Sequence, residues 1–140
     1  EDKSTKSPYY SSSFERALDD LDFPITKPPW GTITSINLNN GKIIWQIPFG
    51  EYEYLAEKGV EATGTENFGG VTGTEGGILI ATGTLDKKLY VYNSLDGSEL
   101  YSYELPYIGS APPTTYMAND KQYIITHATG GRTLMQGYHL

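Results

Sequence analysis

Cysteine is absent from the 140 residues. That excludes a disulfide framework and any thiolate metal site, and leaves the redox compartment open. An excess of basic charge is also missing. The formal net charge of -7 argues against nonspecific nucleic-acid binding, which depends on Lys and Arg neutralising phosphates, so no nucleic-acid partner is expected. No apolar run approaches the roughly 20 residues needed to cross a bilayer. The opening "EDKSTKSPYY" has no basic region leading into an apolar core, so the signal of an exported protein would have been removed or would lie outside this sequence. Histidine is scarce. His127 and His139 stand in unrelated contexts with no metal-ligand spacing, which leaves a zinc site without support. The serines show no nucleophile elbow, and "GTEGG" lacks the Lys and Ser/Thr of a phosphate loop.

The sequence does hold turn formers and aromatics, with Gly 16, Pro 8 and Tyr 12, a balance that favours short strands over long helices. Residues 1–29 form a polar N-terminal segment or an inter-blade connection. Within it "FERALDDLDF" places Phe14, Ala17, Leu18 and Leu21 at helical spacing, predicting a short helix over Ser13–Asp20. The prolines of "FPITKPPW" then impose extended chain.

From Trp30 the period becomes that of strands. "GTITSINL", the turn "NNG" and "KIIWQIP" predict a hairpin. The same grammar returns in "KKLYVYNSLDGSELYSYELP". A shift of 56 positions carries Asn37 to Asn93, Asn40 to Asp96, Gly41 to Gly97, Ile44 to Leu100 and Trp45 to Tyr101. Such a repeat of several short strands suggests propeller blades, with an inserted loop at about 50–67 accounting for the excess length. Gly after Asn or Asp supplies the positive φ of a tight turn, and the aromatic on the returning strand fills the gap between neighbouring blades. Trp45 and Tyr101 are therefore expected at equivalent buried positions on consecutive sheets.

Between the hairpins, "GILIATGT" is apolar on both faces, as in an inner strand buried between blades. The glycines around it, including Gly69 and Gly70, permit close approach of a ligand or of another chain segment, and tight turns alone also explain them. A further strand pair is predicted at Pro113–Tyr116 and Gln122–His127 around "ANDK". The carboxylates of "EYEYLAEKGVE" suit the solvated face of the inserted loop, with Tyr52, Tyr54 and Leu55 anchoring it on the blade surface.

Three separated stretches, "KPPWGTITSINLNNGKIIWQIPFGEY", "GTENFGGVTGTEGGILIATGTLDKKLYVYNSLDGSELYSYELP" and "APPTTYMANDKQYIITHATGG", resemble in order the carboxyl-terminal part of pyrroloquinoline-quinone (PQQ)-dependent dehydrogenases, in particular the glucose dehydrogenase branch. The resemblance implies an all-β fold, about three incomplete blades of an eight-bladed propeller, with residues 30–140 forming the C-terminal blades. In that family PQQ lies near the propeller axis over calcium or magnesium, and an aspartate removes the alcohol proton as hydride passes to the quinone. Those residues belong to earlier blades, so no catalytic or metal residue is assigned to this chain. Cofactor-side positions carry over as Asn67, Phe68 and Gly69 in "TENFGG" and Asp86 in "GTLD". The first three read equally as a glycine-rich approach to a strand, and Asp86 as a turn aspartate accepting backbone N–H bonds.

Two functions follow. One is part of a periplasmic PQQ-dependent sugar or alcohol dehydrogenase that passes electrons to a respiratory quinone or other acceptor, the chain alone being inactive and binding no cofactor by itself. The other is a noncatalytic propeller module serving as a binding or assembly surface. The resemblance also implies partners, either the remaining blades on a companion polypeptide or further copies of the chain, with the "ILIATG" stretch and the Tyr-rich hairpin at the contact.

Overall fold

A computed structural model describes residues 16–129. The 56-residue repeat reappears in it as hydrogen-bond register. Strands β1 (Thr32–Asn37) and β2 (Lys42–Pro48) form an antiparallel hairpin in which Thr32 faces Pro48, Ser35 faces Trp45 and Ile36 faces Ile43. Strands β5 (Lys88–Asn93) and β6 (Glu99–Glu104) repeat it, with Lys88 facing Glu104, Val91 facing Tyr101 and Tyr92 facing Glu99. Both hairpins slip register at the same place, between Ser35 and Ile36 and between Val91 and Tyr92.

The turns match bond for bond. Gly41 and Gly97 both take positive φ, and their N–H groups donate to the carbonyls of Asn37 and Asn93. Asn37 and Asn93 also accept from the amides two residues on, as do Asn40 and Asp96. Asx side chains stabilise such turns by mimicking a backbone carbonyl, which is why Asp96 makes the same bond as Asn40.

The inner strands are β3 (Val71–Gly73) and β4 (Ile78–Ala81), and together with the second hairpin they make a four-stranded antiparallel sheet in the order β3-β4-β5-β6. A last pair, β7 (Thr114–Ala118) and β8 (Lys121–Ile125), turns through Asn119 and Asp120, both at positive φ, as a two-residue primed turn requires. This pair repeats the inner hairpin. Thr115 faces Ile124 where Thr72 faces Ile80, and the bridge Gly109 to Ala128 stands where Asn67 bridges Thr84. Three sheets result. The middle one has all four strands, the first is an outer pair and the third an inner pair, as a partial propeller demands.

The hydrophobic core lies between sheets. Ile33, Phe49, Ala81, Tyr90 and Tyr92 cluster at the first junction, with Trp45, Ile47 and Leu79 against them. Ile80, Leu89 and Leu105 serve the second junction, with Ala128 reaching them from the third sheet. Backbones approach closely there. A Cβ on Gly69 would stand 2.1 Å from the Thr82 carbonyl oxygen, and one on Gly109 would stand 2.8 Å from the Thr82 side chain.

Several sequence expectations are corrected. Over residues 16–20 the predicted helix is absent. The Asp19 side chain instead accepts from the amides of Leu21 and Phe23, and Leu18 bridges Pro24; the remainder of Ser13–Asp20 lies outside the described residues. Local Asx bonding outcompetes a helix too short to propagate. Trp45 and Tyr101 are not at equivalent buried positions: Trp45 is partly buried against the first junction, and Tyr101 is 58% exposed. The "ILIATG" stretch is not an open contact surface either, since Ile80, Ala81 and Thr82 are fully buried. The inserted loop contains a five-residue helix, α1 (Glu53–Glu57). Its Tyr52 and Tyr54 pack on Phe23 at 5.1 and 5.9 Å between ring centroids, so the anchor comes from the segment preceding the first sheet. His139 lies outside the described residues.

Candidate functional site

The chain turns from β4 into β5 through residues 82–87, and the four cofactor-side positions gather around that turn. Asn67 bridges Thr84, the Phe68 amide donates to the Gly83 carbonyl at 3.0 Å, and Gly69 lies against Thr82. The Asn67 side chain is exposed and the Phe68 ring is 38% exposed. Gly69 is different in kind. Its missing side chain is required by the Thr82 and Gly109 backbones, since the Gly109 carbonyl oxygen lies only 2.7 Å from where a Cβ would stand.

Asp86 is the polar hub of the turn. One carboxylate oxygen accepts from the Thr84 hydroxyl at 2.5 Å and the Lys88 amide at 3.3 Å. The other accepts from the Glu51 amide at 2.9 Å and from the Tyr90 hydroxyl. The bond to Lys88 is the turn contact expected of an aspartate at this position. Those to Glu51 and Tyr90 go further, tying the segment after β2 to the middle sheet. Burial, and then the bond to Asp86, hold the Tyr90 hydroxyl far above the ordinary phenol range. Burial also raises its stacked neighbour Tyr92, with Glu99 adding to the effect.

A group of residues that sequence reasoning passed over completes the site. Thr63, Thr65, Thr82 and Thr84 are fully buried. Thr65 Oγ1 accepts from the Leu85 amide at 3.1 Å and donates to the Glu66 carbonyl at 2.9 Å, while the Thr82 hydroxyl donates to the Ala111 carbonyl at 3.0 Å. The Thr63, Thr65 and Thr82 hydroxyls each pair with a backbone amide or carbonyl, and the Thr84 hydroxyl donates to Asp86, so none of the four is left unpaired by burial. The recurring "TGT" of 63–65 and 82–84 was the available signal.

A cavity of about 380 Å³ opens beside the hub, lined by Glu66 and Leu85, the chain neighbours of Asn67 and Asp86, and by Arg16, Phe23, Tyr52 and Lys87 among others. Arg16 meets Glu66 at 2.6 Å in an ion pair without directed hydrogen-bond geometry. Burial raises the Tyr52 hydroxyl, Glu66 adds to that shift and Arg16 opposes it. The cavity thus joins an apolar wall to a paired cation and anion, a lining suited to a small polar molecule with an apolar face. Among the described residues no group of three or more His, Cys, Asp or Glu is placed to hold a metal ion.

Comparison with known proteins identifies the family. The β-propeller domain family of PQQ proteins, described as "Glucose/ethanol/alcohol dehydrogenase", matches residues 1–124. The quinate/shikimate dehydrogenase (quinone) of Acinetobacter baylyi is 32% identical over 130 residues, 88% of this chain and 16% of that protein. The quinoprotein glucose dehydrogenase of Gluconobacter oxydans is 32% identical over 79% of this chain and 14% of its own length. The glycerol dehydrogenase large subunit of Gluconobacter oxydans is 33% identical over 78% of this chain and 16% of its own length. The chain therefore spans about a sixth of the length of the curated relatives it matches.

Proposed function

We propose, because this chain belongs to the PQQ-dependent glucose/ethanol/alcohol dehydrogenase β-propeller family, that it forms part of the propeller of a dehydrogenase oxidising a hydroxylated small molecule. The observation that carries the reading is the family match over residues 1–124, together with a sheet order of outer pair, full sheet and inner pair. The relatives are named for quinate, glucose and glycerol, all polyhydroxylated, and the substrate class proposed here is a sugar or other alcohol.

The residues present fit one border of a quinone site. Asn67 exposes an amide able to donate or accept, and Phe68 exposes a ring face; both follow Glu66 in the chain without lining the cavity that Glu66 and Leu85 border. The chemistry PQQ supplies when bound is acceptance of a hydride from the alcohol carbon. Within that scheme Asn67 binds a polar edge, Phe68 excludes water from one face, and Asp86 fixes the turn carrying them through Thr84 and Lys88. Calcium or magnesium and the proton-abstracting aspartate are assigned to parts of the protein outside this chain. The location is proposed as the periplasm, with a respiratory quinone taking the electrons.

The chain alone is proposed to be inactive, because catalysis needs cofactor, cation and base in one preorganised site. The test is equilibrium dialysis with PQQ and dye reduction with sugars and alcohols, run on the 140-residue chain and on a longer protein containing it. Turnover and quinone binding by the longer protein, with background from the chain, are expected. A longer protein that neither binds PQQ nor turns over overturns the reading, and robust turnover by the chain overturns its inactivity.

A further inference from the structure

A second cleft, of about 280 Å³, lies between the first and middle sheets. Ile47 and Pro48 at the end of β2 border it from the first sheet, and Tyr92 of β5 and Glu99 of β6 from the middle one, while Glu51 and Gly97 also line it. Both walls therefore belong to described residues. The outermost strand of the middle sheet is β6, and its counterpart by the repeat is β2. Strands that complete the first sheet thus join at β1 rather than beside Ile47 and Pro48.

Tyr92 is the residue that makes this cleft more than a groove. It is 4% exposed, yet its hydroxyl makes no hydrogen bond among the described residues, whereas its stacked neighbour Tyr90 donates to Asp86. A buried phenol ordinarily finds a partner. The charges around it are of one sign. Burial raises the Tyr92 hydroxyl, and the carboxylates of Glu99, its register partner, and of Asp86 raise it further. Glu51 borders the same cleft, and no Lys or Arg lines it. Neither Glu51 nor Glu99 forms an ion pair among the described residues.

Unpaired anions beside an unpaired phenol oxygen favour a donor that carries positive charge, since a phenol accepts as well as donates and charge-assisted bonds are the stronger ones. A metal ion is the poorer match. Among the described residues no three carboxylates or histidines converge, whereas calcium takes about six to eight oxygen ligands. Ile47 and Pro48 instead offer an apolar wall suited to an aliphatic stem. We propose that the cleft binds an organic ammonium or guanidinium group, which donates to the Tyr92 oxygen and pairs with Glu99, Glu51 completing the negative field. The group belongs either to a free alkylamine or to a Lys or Arg side chain of a longer protein containing this chain. The recognition chemistry is the same for both, and quinone chemistry plays no part in it.

Butylammonium is the probe, with butanol as its neutral counterpart. Titrated into isotope-labelled chain at neutral pH and followed by nuclear magnetic resonance, butylammonium is expected to shift the Gly50, Gly97 and Glu99 amides saturably, and butanol is not. Glu99→Gln should weaken binding about threefold, the scale of an exposed ion pair, and Tyr92→Phe about fivefold, the scale of one hydrogen bond. Without the probe, Tyr92→Phe should leave the thermal melt of the chain unchanged, because its hydroxyl has no partner among the described residues to lose. In the longer protein, the same binding with the same dependence assigns the site to a free amine. Failure to bind there, together with a melt lowered by both variants, assigns it to a basic side chain of that protein. The proposal is overturned if the chain shows no saturable shift, responds equally to butanol or binds equally well in both variants. It is overturned too if the longer protein shows neither the binding nor the lowered melts.

Discussion

The outer hairpins β1–β2 and β5–β6 share their turns, their register and even their bulge, yet their central aromatics stand in opposite surroundings. Trp45 reaches across to the Ser94 carbonyl and the Gly97 turn, whereas Tyr101 is 58% exposed. Local sequence therefore sets where an aromatic points, and the adjoining sheet decides whether it is buried. The middle sheet has an outer hairpin to receive Trp45, and the third has none among the described residues to receive Tyr101.

The largest expected effect breaks that comparison directly. Trp45→Ala should cost the chain about 3 kcal/mol, the low end for large aromatics because the indole is only partly buried. Tyr101→Ala should cost a dilute chain within about 0.5 kcal/mol, as for exposed positions. Urea unfolding monitored by circular dichroism measures both, and equal losses would show that the two junctions are alike.

Next comes the polar tie across the closed junction. Asp86→Ala removes the acceptor of the Thr84 and Tyr90 hydroxyls and of the Glu51 and Lys88 amides. A loss of about 2–3 kcal/mol is expected, since orphaned buried donors cost more than a satisfied bond contributes. A double-mutant cycle with Tyr90→Phe should give a clearly non-additive pair. Additivity would mean that Asp86 acts through the turn alone.

The glycine turns offer a smaller and cleaner contrast. Gly41 and Gly97 have φ of 70 and 75°, but only Gly97 meets a neighbour, Trp45, at 2.8 Å. Gly41→Ala should cost about 1 kcal/mol, the penalty for a left-handed side chain. Gly97→Ala should cost roughly 1 kcal/mol more, because docking is disturbed as well. Equal costs would show that the indole shifts freely.

The smallest effect is alkaline. Tyr90 and Tyr92 at the closed junction have native values held above the usual 10.0. The folded state therefore binds the phenolic protons more tightly than the unfolded state. Their stabilisation is complete below about pH 10 and is lost as pH rises beyond it. Unfolding midpoints across about pH 9 to 11 check this, and Tyr90→Phe should flatten the decline.

The sequence carried the repeat, since a 56-residue shift preserved Asx-Gly turns whose φ requirements leave few alternatives. It also carried the all-β class, through strand periodicity and proline. The position of Asp86 in a turn was legible from "GTLD", but its partners Glu51 and Tyr90 were not, because the first approaches through a loop 35 residues away in the chain. The threonine staples escaped notice because a polar residue in a glycine-rich stretch looks like loop surface until neighbouring backbones close over it. The helix at residues 13–20 was read from spacing alone, and Asp19 bonding and the Leu18–Pro24 bridge prevail over 16–20.

By itself, then, the sequence determined the hairpins, their turns and the aromatic at the centre of each returning strand, because these depend on φ preferences and a two-residue period that act within a few positions. Only the tertiary structure decided that Trp45 is docked and Tyr101 open, that Gly69 makes room for Thr82 and Gly109, and that Asp86 ties the first sheet's following loop to the second sheet. Those outcomes depend on which surfaces meet across a junction, and burial, unlike a turn preference, belongs to both sides at once.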